Sequence, residues 1–290
     1  MKYLSEQIDQ VLPDRPDLIV LPERCYVPTP FVQAPAKTDD LLEFLASREP
    51  QVQEFISEIA KSNRCYVAYP SYKVFEDGQR SNSIFFFGRD GQIVGTYDKC
   101  RLTPGEVSAG VKPGRQAVVL DCDLGRVGFV ICFDLNYFEL LQEYCQLDPD
   151  LLVFSSMYHG GLMQSVWAYA CRCHFVGSVG PEGLPSEVLL PTGDVFASST
   201  NYTNHVSATI NLDCLLVHLD VLHETLGNLK KTYGTKVKLY DPGMLGSVLL
   251  SAEDDNLSIR EVVSRFDLNS LDEYLDQSRS MCFPVDLSHD

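Results

Sequence analysis

Short apolar runs, stopped by Gly, Pro, Asp or Asn and separated by stretches of helical spacing, restrict most strongly the folds open to this chain. Strand-like runs occupy residues 17–22, 64–69, 82–87, 92–97, 117–120, 127–131, 151–154, 175–179, 187–190, 194–197 and 206–211. They are rich in Val, Ile, Phe and Tyr, and at four to six residues each they fit strands better than helices. Apolar residues recur at helical spacing in 3–11, 137–145 and 162–171. Thr38-Asp39-Asp40 opens a helix through LLEFLASRE, and a second helix, 52–61, follows Pro50. Strands joined by a tight turn, as at 87–92, form hairpins, and strands joined through a helix form parallel crossovers. The alternation predicts an α/β protein of mixed sheets with helices outside, not a simple doubly wound sheet.

The pattern changes near Cys214. Residues 215–231 read as one long helix, followed by strands at 236–240 and 247–250 and helices at 259–266 and 271–277. We expect a main domain over 1–214 and a C-terminal extension, 215–290, packed on it. With 45% apolar and 22% charged residues over 290 positions, the chain can bury a large core, which excludes global disorder. Its 40 acidic against 23 basic residues give a net charge of −17, a field that repels nucleic acid and anionic lipid. No run approaches the ~20 apolar residues of a membrane helix, and the start lacks a basic-then-apolar signal. The expectation is a cytoplasmic protein with neither a nucleic-acid nor a membrane partner.

Ten cysteines are many for such a chain, but several sit inside apolar runs, among them Cys65, Cys132 and Cys214, and read as small buried hydrophobes. No Cys-x-x-Cys pair occurs. The cluster Cys171-Arg172-Cys173-His174 lacks a second ligand cluster to complete a four-ligand metal site, so no metal is expected.

Chemistry points to three other places. In Arg126-Val-Gly-Phe-Val-Ile-Cys132-Phe-Asp134-Leu-Asn136-Tyr-Phe-Glu139 an apolar strand runs into a cysteine just before a helix. A nucleophile there gains from the helix N-terminus, which favours a thiolate, and from free backbone N–H groups that can hold an oxyanion. Asp134 fits the N-cap of that helix. Asp17-Leu-Ile-Val-Leu-Pro-Glu23 places a carboxylate just past a strand, and Gly95-Thr-Tyr-Asp-Lys99 places an amine likewise, followed by Leu102-Thr-Pro-Gly-Glu106. Singly, each charge reads as surface. Together they supply a general base, a cation for an oxyanion and a nucleophile.

The ordered set LIVLPE, YDK with a following PGE, and GFVICFDLNYFE resembles the nitrilase, or carbon–nitrogen hydrolase, superfamily. The resemblance runs over about residues 15–215, through PDLLVF, the helix from Trp167 to His174 and LPTGDVFA. It implies a four-layer αββα sandwich and an amidase-like enzyme needing no cofactor. It matches Glu23 to a general base, Lys99 to an oxyanion-stabilising lysine, Cys132 to the nucleophile and Glu106 to a second glutamate. The backbone N–H of Phe133 would be a further oxyanion donor, and Met157, Tyr158 and His159 would border the substrate. Implied as well are a small-molecule amide substrate, with nitrile hydrolysis the lesser option, and a homodimer or larger homo-oligomer.

Three departures stand out. The family's usual opening strand is missing, and residue 1 leads almost directly into a helix. Asn136 stands where an arginine is common, which removes a bidentate clamp for a carboxylate. The tail beyond about 215 exceeds the usual ending. Two competing readings follow: a silent scaffold that kept the fold, and a soluble acyltransferase using the same acyl-enzyme. A papain-like pair of Cys132 with His159 would leave Glu23 and Lys99 without a role.

Overall fold

The computed structural model describes residues 2–26, 38–218 and 223–282. The chain divides into two compact units, Met1–Ala208 and Thr209–Asp290.

The first unit holds two sheets. One has four strands in the order β1 (Leu18–Val20), β2 (Tyr66–Val74), β3 (Arg80–Phe87) and β4 (Ile93–Asp98). The other has six, in the order β10 (Val195–Ser198), β9 (Glu187–Leu189), β8 (His174–Val179), β7 (Leu151–Ser156), β6 (Gly125–Ile131) and β5 (Val119–Cys122). Both are mixed. β1 and β2 run parallel, β2, β3 and β4 antiparallel, while β6, β7 and β8 are parallel with antiparallel strands on either side. Short β1 is an edge strand of its sheet.

Side-chain alternation sorts the layers. On β3, Phe86 points at the other sheet and meets Phe129 of β6 edge-on, with ring centroids 5.0 Å apart. Phe85 and Phe87 point the other way, into a cluster with Leu4 and Ile8 of α1 (Lys2–Val11) and Val52, Ile56 and Ala60 of α2 (Thr38–Asn63). On β6, Gly128 faces the opposite helices, where a Cβ would stand 2.7 Å from Leu152 and 3.0 Å from Tyr144. Tyr144 of α4 (Phe138–Leu147) packs on Trp167 of α5 (Leu162–Ala170) at 5.8 Å. Helix, sheet, sheet, helix: this is the four-layer mixed sandwich that the resemblance implies. The remaining short helix of this unit is α3 (Pro104–Ser108).

Three expectations are corrected. Pro50 does not split two helices, because α2 runs through it. Leu45, Val52, Ile56 and Ala60 form one buried stripe at heptad and i, i+4 spacing, and Pro50 lies on the exposed side, where a lost backbone bond is solvated. Residues 206–211, expected as a strand, are irregular. Residues 215–231 do not form one helix: β11 (Cys214–His218) comes first, and α6 (His223–Tyr233) follows after residues outside the described set. Leu215-Leu216-Val217 suits either state by hydropathy, and antiparallel pairing with β13 (Ser247–Ala252) decides it.

The second unit has its own core. Its sheet runs β11-β13-β12, with β12 at Val237–Tyr240, and α7 (Ile259–Arg265) and α8 (Leu271–Cys282) complete it. Val217, Leu229, Val248, Leu250, Val262 and Val263 pack together there.

The interface between the two sheets of the first unit gives a test. Phe86 is fully buried there, so Phe86→Ala is expected to cost about 3–5 kcal/mol, read as a lower urea midpoint with an unchanged slope.

Candidate active site

Four chain segments meet at the ends of the two sheets. Beyond β1, the Leu21 carbonyl accepts from the Ser155 hydroxyl of β7 at 2.8 Å, which ties the two sheets together just ahead of Glu23. Arg24 takes a left-handed conformation (φ 59°), and the turn closes as the Cys25 N–H donates to the Pro22 carbonyl at 3.2 Å. The Glu23 side chain is buried. Its Oε1 accepts from Asn82 Nδ2 at 2.7 Å and from Lys99 Nζ at 3.3 Å, and its Oε2 accepts from the Met157 N–H at 3.1 Å.

Lys99 directly follows β4 and is 1% exposed. Its backbone is locked: the N–H donates to the Asn82 carbonyl at 2.8 Å, and the carbonyl accepts from Gly114 N–H at 2.8 Å. A Cβ on Gly114 would lie 2.0 Å from the Asp98 carbonyl, so only glycine fits there. Nζ donates to both oxygens of Glu106, at 3.0 and 2.9 Å. Glu106 belongs to a capping box: its N–H donates to Thr103 Oγ1, and its Oε2 accepts from the Thr103 N–H at 2.9 Å. One carboxylate therefore starts α3 and holds Lys99. Asn82 Nδ2 bridges Glu106 (2.9 Å) and Glu23.

Cys132 directly follows β6 and opens a single 3-10 turn, Cys132–Asn136. Its φ of 47° is left-handed, a strained setting for a side chain with a Cβ. Asp134 holds the strain in place. Its Oδ2 accepts from the Ile131 N–H at 3.0 Å and the Tyr97 hydroxyl at 2.7 Å, and its Oδ1 from the Arg101 N–H at 2.6 Å. It thus staples the turn to the end of β4 and does not cap α4, whose N-cap position is Tyr137. Phe133 is an early residue of the turn, where N–H groups lack intrahelical acceptors.

The charges act on one another. Burial lowers the Lys99 pKa, but Glu23 and Glu106 overcome it and hold the amine well above its ordinary value. Burial raises Glu106, and the charge of Lys99 with the bonds from Asn82 and Thr103 outweighs it, leaving the carboxyl below the usual range. Burial and the negative charge of Glu23 push the Cys132 thiol up to about 11, against the opposing pull of Lys99, the Met157 N–H and the Ser156 hydroxyl. Burial lifts Asp134 to about 7 despite its three donors.

Glu23, Lys99 and Glu106 are in direct contact, and the fields of Glu23 and Lys99 reach the Cys132 sulfur. Met157 joins the group through its backbone N–H. Tyr158 lies in the field of Cys132, and its hydroxyl accepts from Asn136 at 3.0 Å. His159 is occupied elsewhere, accepting from the Gly161 N–H at 3.1 Å and facing the Glu187 carboxylate at 3.1 Å. The sequence reading missed Asn82; the available signal was a polar residue opening the strand NSIFFF. Among the described residues no group of three or more His, Cys, Asp or Glu is arranged to hold a metal, and no helix is long and apolar enough to cross a membrane.

A family model described as carbon-nitrogen hydrolase matches residues 2–175. Omega-amidase NIT2 of Homo sapiens is 31% identical over 112 residues, 36% of this chain and 41% of that protein. Omega-amidase NIT2-B of Xenopus laevis is 25% identical over 221 residues, 68% of this chain and 78% of that protein. Among solved structures, a glutamate-to-glutamine mutant of the amidase from Nesterenkonia sp. AN1, with acrylamide joined by Michael addition to its active-site cysteine, superposes with a TM-score of 0.59. That likeness has 14% identity and covers 68% of this chain and 81% of the other.

The electrostatics give a signed prediction. Glu23→Gln removes an anion that raises the thiol pKa, so Cys132 is expected to titrate below about 11, by about one to two units. The thiolate absorbance of the variant, corrected by the same variant carrying Cys132→Ser, reads it. An unchanged or higher value contradicts the field described.

Proposed function

The chain belongs to the carbon-nitrogen hydrolase family, and from that premise we propose that it hydrolyses the amide bond of a small molecule through a thioester on Cys132. One observation carries the reading: buried Glu23 and Lys99 form a bonded cluster with half-buried Glu106, and the charges of Glu23 and Lys99 act on the Cys132 sulfur. Main domain 1–214 holds all of these residues.

The chemistry follows from the charges. A thiol near 11 is protonated at neutral pH, so sulfur attack must be coupled to proton removal. Glu23 is the base: it is anchored by three donors and carries the negative charge felt by the thiol. As Cys132 adds to the amide carbon, oxygen becomes negative, and Lys99 with the Phe133 N–H stabilises it. The tetrahedral species collapses, and ammonia or an amine leaves with the proton held on Glu23. Water, deprotonated by Glu23, then cleaves the thioester and frees the acid. Glu106 keeps Lys99 charged and aimed, since it bonds Nζ with both oxygens. Met157 and Tyr158 border the substrate in this reading.

The relatives named as amidases support an amide over a nitrile. The reading extends to a homodimer or larger homo-oligomer in the cytoplasm. Exposed Phe138 and Leu162, at the first turns of α4 and α5, offer apolar surface for such a contact.

Two variants test the reaction. Cys132→Ser is expected to lose amide hydrolysis by a factor of about 10³ or more. Glu23→Gln, incubated with acrylamide, is expected to gain the mass of one acrylamide on Cys132, while the wild type releases ammonia from simple amides. Ammonia release that survives in Cys132→Ser would overturn the proposal.

A further inference from the structure

The tight cysteine group flanking Arg172 has no part in that reaction, yet it is not isolated. Cys145 lies in the last turn of α4, and Cys171 caps the C-terminal end of α5. Their sulfurs are 3.7 Å apart, and Cys145 Sγ also lies 3.4 Å from the Ala170 carbonyl. Cys145 is exposed, Cys171 is buried, and neither is in a disulfide. A disulfide needs about 2.05 Å, so from 3.7 Å the two sulfurs must close by about 1.7 Å. Both sit at helix ends, where small displacements are cheapest.

We propose that Cys145 and Cys171 form an oxidisable dithiol, a modification site for peroxide separate from the nucleophile, whose disulfide braces the two helices behind the nucleophile turn. The Cys145 sulfur attacks a peroxide oxygen, an S–O bond forms, the O–O bond breaks and one water leaves. The Cys171 sulfur then displaces the sulfenic hydroxyl, which departs with the Cys171 proton as a second water. Two electrons pass from the two thiols to hydrogen peroxide, and a thiol reductant reverses the change.

The position gives the bond its consequence. α4 follows the Cys132–Asn136 turn, and α5 grips the same turn, since Trp167 Nε1 donates to the Leu135 carbonyl at 2.9 Å. Tyr144, one residue before Cys145, packs on Trp167. A link between residues 26 positions apart joins the far ends of both helices.

Wild type and Cys132→Ser, reduced and freed of reductant, are treated with one equivalent of hydrogen peroxide and cleaved before aspartate. Asp148 and Asp150 lie between the two cysteines, so cleavage there separates them. Expected is a peptide carrying Cys145 joined to one carrying Cys171, in both proteins. The link should vanish with dithiothreitol, in Cys145→Ser and in Cys171→Ala. The oxidised Cys132→Ser protein is expected to melt several degrees above its reduced form. Cys145 ending as sulfinic acid with Cys171 still free, a Cys171–Cys173 link in its place, or melting that does not rise would overturn the proposal.

Discussion

A lysine buried to 1% exposure is the constraint on which the rest of the site depends. An ammonium removed from water costs several kcal/mol unless its charge and donors are met. Here they are met by Glu23, which follows β1, and by Glu106, in the first turn of α3, with Asn82 bonded to both carboxylates. Glu23 and Lys99 are 76 positions apart in sequence, so their pairing needs the four-stranded sheet to be assembled. The sheet in turn gains a reason to close in one register, because any slip would leave a buried cation beside nothing.

The same pairing sets the chemistry. One cation against two carboxylates leaves the cluster with one net negative charge, and a thiol beside it keeps its proton. The site is therefore not built around a resting thiolate. In the proposed reaction a proton must move when sulfur attacks, and Glu23, its acceptor in that reading, is held by two side-chain donors and one backbone N–H. The Asp134 staple holds the left-handed Cys132 turn in a fixed place. Strain at Cys132 is sustained by bonds reaching to Tyr97 and Arg101, at the end of the strand that also delivers Lys99.

Much of this was legible in the sequence, and the parts that were not have identifiable reasons. Glu23, Lys99 and Cys132 each sit just past an apolar run, a place where polar residues stand out once they are taken together, whereas Glu106 follows Thr-Pro-Gly and is singled out by the resemblance. Asn82 does not, since a polar residue at the start of a strand looks like a turn boundary until its partners are known. Asp134 reads as a cap of the following helix by position, and only tertiary contact sends it to Tyr97 and Arg101. Residues 215–217 are ambiguous for a different reason: three apolar residues in a row satisfy a helix or a buried strand, and β13 resolves the choice. Pro50 misleads because proline costs a helix one backbone bond without always ending it, and here it lies on the wet side of α2, where water can meet the freed carbonyl.

Asn136 connects the departures in sequence to the energetics of the sulfur. Its amide is spent on the Phe133 carbonyl at 3.1 Å and the Tyr158 hydroxyl at 3.0 Å, so it holds the turn to the segment after β7. A guanidinium so close would add a second positive charge and draw the thiol down. With a neutral amide in that place, Lys99 is the side-chain cation that opposes the effects of burial and Glu23 on Cys132, and it is already shared between two carboxylates. The high thiol pKa thus follows from burial first and the charge of Glu23 second, opposed by a cation shared between two carboxylates, while Asn136 adds no charge of its own.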